Sequence, residues 1–298
     1  MPAGGLPQLT TGMDLCRLLS WHWHTSWHHP EGLRWLTRAC EVVGETEDPA
    51  ALATWHGLGI LLDQHGELDR AAAILQRCLD AAVARGDRVG QGRESNSLAL
   101  VQMRRGDPVR ARELFVDAHR LAQEDGDEER ISTSLSNLAM LELDLGHGER
   151  ALALLQEVLG IDRRLGDVWG EAVDRLNLAQ AQLAVGDLAS AHGTLVGRGG
   201  ELLALADAEV DAELLEQLGV LATAGGHHET VPVLLGAADA VRLAAAVPRA
   251  DAYDRRLEES TREARAALGE QRWSELLAQG ASVSPQEAWR TCAALLPA

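Results

Sequence analysis

The sequence predicts an all-α fold of stacked helix pairs, a solenoid, on three observations. Five glycines, Gly66, Gly106, Gly146, Gly186 and Gly226, lie 40 residues apart. Three apolar columns keep the same period: Leu58, Leu98, Leu138, Leu178 and Leu218; Ala71, Ala111, Ala151 and Ala191; and Leu75, Phe115, Leu155, Leu195 and Leu235. Asp87, Asp127, Asp167 and Asp207 form a further column, and the first three each follow a glycine, Gly86, Gly126 and Gly166. A fixed period of this size marks an array in which no unit buries its apolar face alone, so neighbours must stack.

Each unit reads as two helices joined by a tight turn. Within 95–127, Leu98, Val101 and Gln102 share one face at helical spacing. Gly106 ends that helix, because glycine adopts a left-handed terminal conformation without steric penalty. Asp107 caps the next helix, with Pro108 at its first position, where a missing N–H is no loss. Ala111, Leu114, Phe115 and Ala118 follow at i, i+3, i+4 and i+7. The alanine column suits a close helix crossing, and the Leu/Phe column fills the space between successive pairs. The register extends backward imperfectly: Leu18 stands in the leucine column, Trp35 in the Leu/Phe column, Ser26 at the glycine and Glu31 at the alanine.

This gives six units: a degenerate first unit in 1–47, five 40-residue repeats in 48–246, and capping helices in 247–298. In the last segment Pro248 breaks the chain and Tyr253 to Leu268 reads as an amphipathic helix. Ser284-Pro285-Gln286-Glu287 is a capping box opening a final helix that runs to about Leu296. These helices are expected to seal the last repeat.

The net charge is −18, and the 27 basic residues are all arginine. Absence of lysine beside abundant Ala, Arg and Gly suggests a GC-rich, actinobacterial genome. The acidic balance argues against nucleic acid as a direct ligand and against a polybasic membrane surface. The densest run, Glu124-Asp125-Gly126-Asp127-Glu128-Glu129, falls in an inter-repeat loop and reads as a solvated charge run. No apolar run approaches the ~20 residues that span a bilayer. Met1-Pro2-Ala3-Gly4-Gly5 lacks the start of a secretory signal. Cys16, Cys40, Cys78 and Cys292 show no CxxC and read as reduced core cysteines of a cytoplasmic protein.

Trp55, Leu58-Gly59 and Leu62, then Gly66, Ala71, Leu75 and Cys78, resemble a tetratricopeptide repeat, with Leu62, Leu75 and Cys78 departing from the usual Tyr, Phe and Ala. The resemblance implies a right-handed α-α superhelix. The period of 40 exceeds the usual 34, as in the repeat tails of LuxR-type, AfsR/SARP-type and MalT-like ATP-dependent transcriptional regulators. Leu234-Leu235-Gly236-Ala237-Ala238, Tyr253, Ala264 to Glu270 and Ser284 to Ala288 are similar to the closing segment of actinobacterial regulators of that kind. Trp21 to Leu36 resembles the start of their repeat region. Those regulators carry ATP-binding and DNA-binding modules ahead of the repeats, and neither stands in this sequence. A GxxxxGK[ST] loop needs a lysine, and there is none. The chain is expected to be either a stand-alone relative or the sensor end of a larger protein.

Asn137 and Asn177 are again 40 apart, each one residue before the leucine column. In tetratricopeptide proteins an asparagine here can face the concave groove, where its amide offers donors and an acceptor to an extended peptide. Ser97 takes the equivalent place in its unit, and Gly57 and Gln217 take it in others; Asn96 is one residue out of register. Arg93 and Arg130 could add charge to the same groove. Against this stands the plainer reading, that the asparagines bond within the stack.

His24 and His28 have i, i+4 metal-ligand spacing, but Ser26 puts a turn between them, so no metal site is assigned. The tryptophans of that segment are expected to cap the exposed end of the stack. His65, His147, His227 and His228 read as solvated turn residues. Ser132, Ser134 and Ser136 alternate on a helix without a partnered histidine, and no catalytic residue or cofactor is assigned.

The function expected is a non-catalytic scaffold or sensor holding a protein segment or small effector on its concave face. Regulation of transcription is the setting implied by resemblance. A self-assembly module that forms a homo-oligomer, and an enzyme built on a helical solenoid, are the alternatives.

Overall fold

The computed structural model describes residues 19, 23, 29–44, 48–247, 249 and 251–295, and every regular element among them is a helix. These are α1 (His29–Val43), α2 (Pro49–Gln64), α3 (Leu68–Ala84), α4 (Arg88–Arg104), α5 (Pro108–Asp125), α6 (Glu128–Asp144), α7 (Gly148–Leu165), α8 (Val168–Ala184), α9 (Leu188–Leu195), α10 (Gly199–Leu203), α11 (Ala208–Ala224), α12 (Thr230–Ala245), α13 (Asp251–Gly280) and α14 (Pro285–Leu295). The chain divides into two compact units, 1–141 and 142–298, with the boundary inside α6.

In unit 1, α1 packs on α2, α2 on α3, α3 on α4 and α4 on α5. The helix starts follow from their caps. Asp48 accepts from the N–H groups of Ala50 and Ala51, Asp87 from Gly90 at 2.9 Å, Asp107 from Arg110 at 3.1 Å and Asp127 from Arg130 at 3.0 Å. Each cap satisfies donors that the first turn leaves without a helical acceptor. The turns follow from glycine: Gly66 and Gly106 have φ of 84° and 78°, and Gly86 and Gly126 have 67° and 69°. Ala71, Ala111, Leu75 and Phe115 are fully buried, as the columns require. Gly59 explains the Leu-Gly pair of the repeat signature: a Cβ there would fall 2.9 Å from the Leu75 side chain, so the residue has to be glycine for α3 to approach α2 this closely.

The register of the first unit slips by one. Trp35 is 50% exposed and Leu36 is buried, so leucine and not tryptophan fills the core at this level. Trp23 is buried against Gly32, while Cys16, Leu18, Trp21, His24, Ser26, Trp27 and His28 lie outside the described residues. Cys40 and Cys78 are buried, and burial pushes the Cys78 thiol up to about 12.

In unit 2, α7 packs on α8, α8 on α9 and α11, and α11 on α12. Asp167, Asp187 and Asp207 cap α8, α9 and α11. Ala151, Ala191, Leu155 and Leu195 are fully buried. Leu178 is half-buried, as is Leu138 in unit 1, so the leucine column is less uniform than its spacing suggests. The second helix of the fourth pair breaks after Leu195, giving the short α9 and α10. Gly193, Gly197, Gly199 and Gly200 weaken helix here. Trp289 of α14 lies against Gly199 and Gly200 and donates its indole N–H to the Leu195 carbonyl at 3.3 Å.

In the C-terminal segment α13 is interrupted at the non-helical Gly269 (φ 72°, ψ 160°), just past the expected end at Leu268, and helix resumes to Gly280, beyond what the pattern predicts. The final helix opens at Pro285, with the Ser284 hydroxyl accepting from the Glu287 N–H at 3.3 Å. α13 packs on α11 and α12, and α14 on α10, α11 and α12. Cys292 is fully buried, and burial pushes its thiol to about 12.

Candidate functional site

The first helices of the pairs in unit 1, α2, α4 and α6, carry a row of polar side chains at closely related positions. At its centre is Glu94, only 1% exposed. Its Oε2 lies 2.7 Å from His56 Nδ1 on α2, and its Oε1 accepts from Arg93 Nη2 at 2.7 Å. Burial pushes the Glu94 carboxyl up, but the hydrogen bond and charge of His56, with Arg93, outweigh it and hold the pKa below the ordinary range. A buried carboxylate is tolerated only when paired in this way. The result fixes His56 and Arg93 at the surface, half-buried and exposed respectively.

Beside this group, Asn137 Nδ2 donates to Asn96 Oδ1 at 3.0 Å, linking α6 to α4. Both residues are half-buried. The bond uses one N–H of Asn137 and one lone pair of Asn96, leaving each amide further donor and acceptor capacity. Ser97 is buried on α4, one turn after Arg93.

The structure therefore brings Arg93, Ser97 and Asn137 onto neighbouring helices of one unit. Arg130 is placed elsewhere. Standing three residues after the cap Asp127, it is held at the inter-repeat turn by Asp127 at 2.8 Å and Asp125 at 2.9 Å. The acidic run is correspondingly less free than a solvated run, since Arg88 and Arg120 pair with Glu124, and Arg88 also with Asp125. Asn177 belongs to unit 2, where it donates to Asp174 Oδ1 at 3.0 Å within its own helix.

His56, Glu94 and Asn96 are functional candidates that spacing alone did not select. The signal was present in Glu94, a charged residue among the small residues of the α4 face, but its partner is 38 residues away. Two histidine expectations also change. Ser134 does have a histidine neighbour, His119 Nδ1 at 3.2 Å, but its hydroxyl donates to the Ile131 carbonyl at 2.9 Å and is buried, so the pair ties α5 to α6 and does not form a nucleophile. His147 bonds the buried Glu142 at 2.7 Å and is more than a solvated turn residue.

An open groove of about 620 Å³ in unit 1 runs along α1 past Leu33, Arg34, Trp35 and Arg38 to Glu67 and Arg70. Among the described residues no helix is long and apolar enough to cross a membrane.

Two family models, both described as tetratricopeptide repeat, match residues 54–89 and 94–164. No curated protein matches the chain. Among solved structures, aspartyl phosphate phosphatase F from Bacillus subtilis is 10% identical, with a TM-score of 0.61 over 90% of this chain and 72% of that one. BtubC (BKLC) from P. vanneervenii is 21% identical, with a TM-score of 0.55 over 76% and 93%. The nearly identical TPR-like repeats of a kinesin light chain candidate from Podosopora anserina are 18% identical, with a TM-score of 0.53 over 62% and 92%. At these identities the likeness is one of fold. Trp55, over which Arg77 stacks at 4.4 Å, and the Gly59–Leu75 contact are the repeat signature in physical form; residues 54–89 and 94–164 match tetratricopeptide repeats, and the fold is a solenoid of that kind.

Proposed function

We infer that the chain is a non-catalytic interaction scaffold whose α2–α4–α6 face in unit 1 holds an extended segment of a protein partner. One observation carries this reading: His56, Arg93, Asn96 and Asn137, drawn from successive repeats, share this face, Arg93 exposed and the other three half-buried, with His56 and Arg93 pre-set by the buried Glu94 and the two amides by each other. Amides on successive helices can donate to and accept from the main chain of an extended peptide, which gives affinity without demanding a particular side chain. Pre-set side chains lose less conformational freedom on binding. Ser97 belongs to the same face. Arg130 would act only as a secondary contact, because it is engaged at its own turn, and Asn177, bonded to Asp174 in unit 2, is not part of this face. The net charge of −18 supports a protein ligand over nucleic acid. We place it in a cytoplasmic, transcription-regulatory setting, the compartment from its cysteine usage and the regulation from the resemblance of its C-terminal segment.

The test is capture from lysate with wild type, the double variant Arg93→Ala/Asn137→Ala and the control Asn177→Ala, all checked by circular dichroism. A protein retained by wild type and Asn177→Ala but lost by the double variant supports the reading. Retention by the double variant at wild-type level would sink it.

A further inference from the structure

The α2–α4–α6 face carries a second row of side chains beside the polar one. Two contacts set α2 and α4 running in the same direction: His56 meets Glu94 at 2.7 Å, and Asp63 meets Arg104 at 3.0 Å. Ile60 and Leu100 fall between those contacts, each one turn after the polar residue of its own helix, His56 and Asn96. Met140 stands likewise one turn after Asn137, which bonds Asn96 at 3.0 Å. Three successive repeats thus contribute Ile60, Leu100 and Met140 to one apolar row. Leu100 is 36% exposed, and Ile60 and Met140 are half-buried. They are aligned on one face, not scattered singly, which is what marks an interaction surface. The flexible, polarisable side chain of Met140 suits a surface that receives apolar groups of differing shape.

The charges beside this row complement an anion. Arg93 pairs with Glu94 and Arg104 with Asp63, so the two pairs cancel within a chain of net charge −18. The two arginine side chains are nevertheless 50% and 46% exposed, and the two carboxylates 2% and 16%. A ligand on this face therefore meets the cations first. The order of residues along α4 then sets the ligand's pattern. Arg93 lies about 4.5 Å before Asn96 along the helix axis, and Leu100 about 6 Å after it. An extended segment crossing the helices at the level of Asn96 and Asn137 turns one main-chain edge toward those amides. Its side chains then alternate along the helix direction, one toward Arg93 and the next toward Ile60, Leu100 and Met140. We propose that unit 1 selects an apolar–acidic–apolar segment, whose carboxylate faces Arg93 and whose two flanking side chains lie on the Ile60, Leu100 and Met140 row. This selectivity rests on the scaffold reading of the same face.

The probe is a short fluorescein-labelled peptide with Leu-Glu-Leu at the centre of a Gly/Ser chain. Its anisotropy on the full chain is compared with that of Leu-Arg-Leu and Ser-Glu-Ser versions. The Leu-Glu-Leu peptide should bind saturably. Ser-Glu-Ser should bind at least about tenfold more weakly, because two large side chains are no longer buried. Leu-Arg-Leu should bind about fivefold more weakly, because a cation now faces Arg93. Leu100→Ser should weaken Leu-Glu-Leu by about tenfold, and Arg93→Gln should remove the preference over Leu-Arg-Leu, both with unchanged circular dichroism. Val109→Ser, at an exposed valine on α5 outside this row, should change neither. Three peptides bound alike and all lost with Asn137→Ala would overturn the selectivity and leave the scaffold reading standing. No saturable binding of Leu-Glu-Leu, or a preference that survives Leu100→Ser and Arg93→Gln, would also overturn it, and the lysate capture then judges the scaffold reading separately.

Discussion

Gly236 of α12 and Gly280 of α13 form a reciprocal notch. A Cβ on Gly236 would sit within 3.0 Å of the Leu277 carbonyl oxygen, and a Cβ on Gly280 equally close to the Val233 carbonyl. Each glycine thus faces the other helix's backbone, not a side chain that could swing aside. The contact lets the C-terminal helix lie directly on the last repeat, so the Leu-Leu-Gly-Ala-Ala segment has a packing reason for its glycine.

Gly236→Ala is accordingly expected to cost about 3 kcal/mol, at the upper end of overpacking effects. Gly280→Ala should behave alike, and the double variant should cost less than the sum because both meet the same crossing. Gly193→Ala is the control: nothing lies within 4 Å of its added Cβ, so it should be neutral or stabilising by up to about 1 kcal/mol. Urea unfolding followed by circular dichroism measures all four.

Ala206 precedes Asp207 in the place where Gly86, Gly126 and Gly166 precede their aspartates, and it is held at φ 52°. A left-handed alanine carries about 1–2 kcal/mol of strain. Ala206→Gly is therefore expected to raise stability by about 1 kcal/mol, net of glycine's greater freedom in the unfolded chain. Gly126→Ala should lose a similar amount. A lower thermal midpoint for Ala206→Gly would contradict this account of the turn.

Glu213 and Asp211 on α11 are pushed up to about 7 and about 6, first by burial and then by neighbouring carboxylates, Glu209 and Glu216 for the one and Asp207 for the other. Acids with raised folded-state pKa values bind more protons folded than unfolded. Their contribution to stability is complete below about pH 4, and it is lost as pH rises through about 7. Stability should thus fall across this window. Glu213→Gln should flatten the fall and add about 1–2 kcal/mol at pH 8, read from urea midpoints at pH 5 and pH 8.

Glu216 is fully buried, and Arg242 grips it with two bonds of 2.7 and 2.9 Å while Arg249 adds two more, of 2.7 and 3.0 Å. Arg242→Met would leave much of a buried carboxylate uncompensated and should cost about 3 kcal/mol. The double variant Arg242→Met/Glu216→Leu should recover part of that loss. A single variant within about 0.5 kcal/mol of wild type would mean that Arg249 alone suffices.

The helix pairs, their capping aspartates and their left-handed glycines were legible in the sequence because each depends on residues within about four positions, and the period repeats the pattern until it is unmistakable. The buried alanine and Leu/Phe columns were legible for the same reason, since periodicity states which face is buried. What only the tertiary structure decided are pairings across helices. Local pattern could not show that Leu36 replaces Trp35 in the core, or that Trp289 bonds a carbonyl 94 residues earlier. Nor could it show that His56 meets Glu94 across 38 residues and Asn137 meets Asn96 across 41. Those contacts depend on crossing angles and side-chain rotamers, and for the non-repeating C-terminal helices on which surface they cover, none of which a period encodes.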